Sequence, residues 1–100
     1  MYTMLQNYSI LFEFMETLGK KWVVPLLLFL LFYERTNFSQ IKKHLRVTSR
    51  ALSKKLKLLE ALGLVERVVL ENPKKVYYAL SEKGKRISGL LLGFGSKISQ

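Results

Sequence analysis

Cysteine is absent from this sequence, proline occurs twice, and histidine and tryptophan occur once each. The first absence excludes disulfides, thiolate metal ligands and thiol chemistry, and it suits a reducing interior, so a cytoplasmic protein is expected. His44 has no second histidine and no cysteine with which to share a metal ion; it reads as an ordinary surface residue, and no metal site is expected. The seven acids, Glu13, Glu16, Glu34, Glu60, Glu66, Glu71 and Glu82, include no pair spaced for acid and base work. A glycine-rich phosphate loop and a nucleophile motif are missing as well, so the chain is read as neither an enzyme nor a cofactor carrier. The best candidate for a membrane segment, WVVPLLLFLLF from Trp22 to Phe32, rises ~1.5 Å per residue as a helix and falls well short of the ~30 Å of bilayer hydrocarbon. Glu13 and Glu16 stand where a signal peptide would carry basic residues ahead of its apolar stretch. Neither a membrane partner nor a leader is therefore expected, and the run is read as a buried core helix.

What the sequence does contain is apolar and basic. With 49% apolar residues, enough for one core, residues 1–100 are read as a single domain. Lysine and arginine number 17 against 7 acids, a formal charge of +10, and a field of that sign favours nucleic acid or anionic lipid as partner. Placement helps to choose between them. Lys42, Lys43, Arg46, Arg50, Lys54, Lys55 and Lys57 crowd together, and no glutamate falls between Arg35 and Lys57. Phe38, Ile41, Leu45, Val47, Leu52, Leu56 and Leu59 are interleaved at spacings that turn them inward, so a packed scaffold displays the charge. That is the footprint of a helix-turn-helix that docks on double-stranded DNA.

The periodicity predicts an amphipathic helix over 9–18, with Ile10, Phe14 and Leu18 at steps of four, and then an apolar helix from Trp22 to about Tyr33, with Pro25 tolerated in its first turn. Asn37 and Gln40 predict a capping box for a short helix that carries Ile41 and Leu45. Arg46 and Val47 form a turn, Thr48 caps a helix over 49–62, and Gly63 ends it in the left-handed conformation. The helix-turn-helix thus covers 38–62. A β-hairpin is predicted over 64–80 around Asn72-Pro73-Lys74-Lys75, with Tyr78 and Leu80 facing inward and Tyr77 outward. A last helix is expected over 81–92, after which the glycine-rich end should fray.

The order helix, helix, helix-turn-helix, hairpin, helix comes with four telling stretches: LGKKWVVPLL at 18–27, FSQI at 38–41, LSKKLKLLEALGLVER at 52–67 and VYYALSEKG at 76–84. Together they resemble the winged helix-turn-helix transcriptional regulators of the HxlR type, to which the MarR and PadR types are related. The last two stretches are the more specific. The resemblance implies a fold that is mainly α with a small β-hairpin wing (α+β), and a function in transcription regulation. Two departures stand out. Before the recognition helix this chain has Leu45-Arg46-Val47-Thr48, closer to MarR, where the HxlR type usually has a proline-glycine pair. The cysteine through which some HxlR-type proteins sense oxidants or aldehydes is missing, so a thiol switch is not carried over.

On the helix after Thr48, positions 50, 53, 54 and 57 share a face almost opposite the core leucines. Ser49, Arg50 and Ser53, near the helix start, are the candidates for reading base edges; Lys54, Lys55 and Lys57 are the candidates for phosphate. Lys42 and Lys43 on the preceding helix, Arg46 in the turn and the cap Thr48 complete the DNA-facing set and fix register. By resemblance Lys74 and Lys75, at the hairpin tip, form the wing and lie along the adjacent minor groove or flanking phosphates. The end helices, 10–18 and 81–92, offer Phe12, Phe14, Met15, Leu90, Leu91, Leu92 and Phe94, more apolar surface than one such domain needs. A homodimer is expected, binding a pseudo-palindrome with half-sites ~34 Å apart. The expected function is a sequence-specific, dimeric DNA-binding repressor; the rival is a non-specific architectural or RNA-associated basic protein. No feature of the sequence identifies an effector.

Overall fold

The computed structural model describes residues 2–98, with side chains placed for Ser9 and for residues 11–97. Helix α1 (Tyr2–Leu18) leads into α2 (Val23–Phe32), a two-residue strand β1 (Arg35–Thr36), α3 (Phe38–Leu45), α4 (Ser49–Ala61), the hairpin β2 (Val65–Leu70) and β3 (Lys75–Leu80), and α5 (Glu82–Ile98). The expected mainly α chain with a small wing is thus what the backbone forms, with the sheet enlarged to three antiparallel strands in the order β1-β3-β2.

Helix α2 is the centre of the core. Val23, Leu26, Leu27 and Leu30 are sealed from solvent, and α1, α3, α5 and β3 pack around them. Each such side chain contributes about 1.5–3 kcal/mol by leaving water. Trp22 does not open the helix as the sequence suggested; it takes a left-handed conformation at the N-cap, φ 73°, with the Lys21 ammonium 5.6 Å from its ring centroid. From the other side, Ile41 and Leu45 of α3, Val47 of the turn, and Leu52, Leu56 and Leu59 of α4 complete the core.

Three boundaries differ from expectation. Helix α1 begins at Tyr2, seven residues earlier than its apolar stripe suggests; Phe14 and Leu18 pack on the core, while the Ile10 side chain lies outside the described residues. Strand β1 was not anticipated: Arg35 pairs with Ala79 and Thr36 with Tyr78. Helix α5 runs on through Gly93 and Gly95 to Ile98. A helical glycine costs only about 1 kcal/mol relative to alanine, and Leu90 and Phe94 keep the i,i+4 spacing across it.

Candidate nucleic-acid interface

The pair α3–α4 is set by its caps. The Asn37 Oδ1 accepts from the Gln40 amide at 2.9 Å, and the Gln40 Oε1 accepts from the Asn37 amide at 3.2 Å, which closes the predicted capping box. Arg46 then turns left-handed, φ 55°, and its N–H donates to the Lys42 carbonyl, which ends α3. Val47 drops into the core, and the Thr48 Oγ1 accepts from the Ala51 amide at 3.1 Å to start α4. Gly63, φ 73°, closes α4 in the left-handed conformation its sequence position predicts.

With Leu52, Leu56 and Leu59 fully buried, the opposite flank of α4 must face out. Ser49, Arg50, Lys54 and Lys57 are exposed there; Ser53 and Lys55 are half-buried at its edges. Thr48, Lys42, Lys43 and Arg46 are exposed beside them. Among the described residues the only ion pair joins Lys85 to Glu82, so none of these cations is held by a carboxylate. Lys74 and Lys75 are exposed at the far end of the hairpin, where Lys75 pairs with Leu70; the arm from the Val65–Leu80 pair to that tip is ~17 Å long.

Several features escaped the sequence reading. Arg35 sits on the unforeseen strand with its guanidinium carbon 4.8 Å from the Tyr77 ring centroid, and the two are more than forty residues apart in sequence. His44 is exposed, but its ring packs 4.5 Å from that of Phe29. The end of α4 is also tied to α5: Ser81 Oγ donates to the Gly63 carbonyl, Lys83 Nζ donates to the Leu62 carbonyl at 3.1 Å, and the same ammonium lies 5.3 Å from the Phe14 ring centroid of α1. The Leu-Ser-Glu-Lys-Gly stretch was the only signal that could have pointed there. Among the described residues no cluster of three histidine, cysteine, aspartate or glutamate side chains could hold a metal ion, and no helix is long and apolar enough to cross a membrane.

Comparison with known proteins places these features in context. Residues 17–99 match the HxlR-like helix-turn-helix family. YvaP, an uncharacterized HTH-type transcriptional regulator of Bacillus subtilis, is 38% identical over 78 residues, which cover 76% of this chain and 71% of that protein. YtcD of the same organism, also an uncharacterized HTH-type transcriptional regulator, is 34% identical over 79 residues, 77% of this chain and 62% of YtcD. The crystal structure of YtcD superposes with a TM-score of 0.79 at 30% identity, covering 89% of this chain and 92% of that one. The reduced form of the B. subtilis transcriptional regulator YodB gives 0.74 at 31% identity, covering 84% and 83%.

Proposed function

The chain belongs to the HxlR-like helix-turn-helix family, and its relatives are HTH-type transcriptional regulators; from that premise we propose that it binds a specific site on double-stranded DNA as a homodimer and represses by occupying a promoter in the cytoplasm. One observation weighs most. The flank of α4 opposite its buried leucines presents Ser49, Arg50, Lys54 and Lys57 to solvent, and no ion pair among the described residues engages their charges. Arg50 stands in the first turn, which holds no acid, and there its charge opposes the helix dipole by a few tenths of a kcal/mol. A phosphate or a guanine edge at that position would turn this cost into an attraction.

In this reading Ser49, Arg50 and Ser53 meet base edges in the major groove. Lys42, Lys43, Arg46, Thr48, Lys54, Lys55 and Lys57 hold the flanking backbone, and Lys74 and Lys75 reach a neighbouring groove or phosphate from the wing. The dimer draws on α1 and α5, where Leu11, Met15, Leu90, Leu92 and Phe94 are exposed, between 40% and 74% of each side chain's residue surface. A second copy related by a two-fold axis would cover them.

Titration of a selected duplex, a scrambled duplex and an RNA hairpin at rising salt tests the reading. All affinities should fall steeply, with the selected duplex remaining well above a non-specific background of ~10⁻⁴ to 10⁻⁶ M. Equal affinity for the three would contradict it and favour a non-specific architectural or RNA-associated role.

A further inference from the structure

Between the end of α2, strand β1 and α3 the surface opens into a cavity of about 440 Å³, within the usual range of small-molecule sites. One part of its lining is a cluster of three rings. Phe29 and Tyr33 stack with centroids 4.6 Å apart and planes inclined by 30°, and His44 lies 4.5 Å from Phe29 and 6.0 Å from Tyr33. The remainder donates hydrogen bonds: Arg35, Lys43 and Gln40 line it, and no aspartate or glutamate does.

The donors are held in place. The Arg35 guanidinium carbon lies 4.8 Å from the Tyr77 ring centroid, a contact that restrains the side chain while its N–H donors keep their capacity for a partner. The Gln40 Oε1 already accepts from the Thr36 hydroxyl at 2.7 Å and from the Asn37 amide, so the NH₂ of that side chain is the group left to bind. Tyr33 is 56% exposed although it belongs to the aromatic cluster, which leaves part of a ring surface uncovered beside two unneutralised cations. A flat apolar ring would cover that surface, and a carboxylate on it would match the fork of Arg35 and the charge of Lys43.

We propose that this cavity binds a planar aromatic carboxylate. We further infer, resting on the DNA-binding reading above, that the bound carboxylate occupies Lys43 and so weakens the hold of α3 on duplex phosphate. The ligand is then an effector whose affinity and that of DNA oppose each other by the same factor.

Calorimetric titration of the DNA-free protein with 2-naphthoate, 2-naphthamide and cyclohexanecarboxylate separates the contributions of ring and charge. The expected result is saturable binding of 2-naphthoate, with the neutral amide and the non-aromatic acid each about tenfold weaker or more. Arg35→Gln and Tyr33→Ala, both at exposed positions, should each weaken 2-naphthoate about tenfold while leaving the circular dichroism spectrum unchanged, and only Tyr33→Ala, which loses the stack on Phe29, should lower the melting temperature. Equal binding of the three probes, no binding of any, or full binding by Arg35→Gln would overturn the site, whatever the protein does with DNA. Saturating 2-naphthoate should lower affinity for the selected duplex about fivefold or more, and not in Arg35→Gln. Binding of 2-naphthoate with duplex affinity unchanged would overturn the coupling to Lys43.

Discussion

Arg50 and Lys42 carry one positive charge each and are both exposed, but their settings differ. Lys42 is in the last turn of α3, where a cation suits the helix dipole without any ligand, whereas Arg50 is in the first turn of α4, where it does not. Arg50→Ala is therefore expected to cost about 1–3 kcal/mol on the specific duplex, relaxing base preference at one position, while Lys42→Ala weakens specific and scrambled duplexes alike. Fluorescence anisotropy on both duplexes checks this, and equal losses on the two for both variants would reverse the assignment. At this scale the sequence was most legible where partners are close along the chain. The Asn37–Gln40 box, the Thr48 cap and the left-handed Gly63 all depend on neighbours three or four residues away. Arg35 on Tyr77 and His44 on Phe29 were not legible, because no local rule links residues so distant.

Among the elements, α4 and α5 meet at a tightly fitted joint. Gly84 lies so close to the Leu64 carbonyl that a Cβ there would overlap its oxygen and crowd the Leu80 side chain at 3.2 Å. That same oxygen accepts from the Ser81 amide, and Lys83 holds the Leu62 carbonyl, so the first turn of α5 fixes where α4 ends. Gly84→Ala must push the two apart, at a cost of about 1–3 kcal/mol. Equilibrium urea unfolding should show a lower midpoint with an unchanged slope, and a midpoint equal to the parent's would show that the joint has room to spare. Helices α3 and α4 and the hairpin were readable because apolar periodicity and turn residues agree there. Two residues of β1 carry no period at all, and their pairing is created by β3. In α5 the glycines suggested an end, while the continued apolar spacing and the propagation of an established helix keep it intact.

For the whole molecule, a charge of +10 draws the protein to any polyanion, and only geometry can make the attraction selective. In the proposed reading, helix α4 supplies one reading edge, the hairpin a second contact, and the exposed apolar residues of α1 and α5 a means of pairing two such units. Lys83 links three helices, α4 by its hydrogen bond to the Leu62 cap, α1 through Phe14 and α5 by residence, so α1 and α5 are mechanically joined to the end of α4. Selection of bound duplexes from a random pool tests the central claim most directly, namely that the outward flank of α4 reads DNA in a two-fold pair. The account predicts recovery of a pseudo-palindromic motif whose half-sites lie about one helical turn, ~34 Å, apart. A pool that stays random after repeated rounds, or a single unpaired motif, would contradict it.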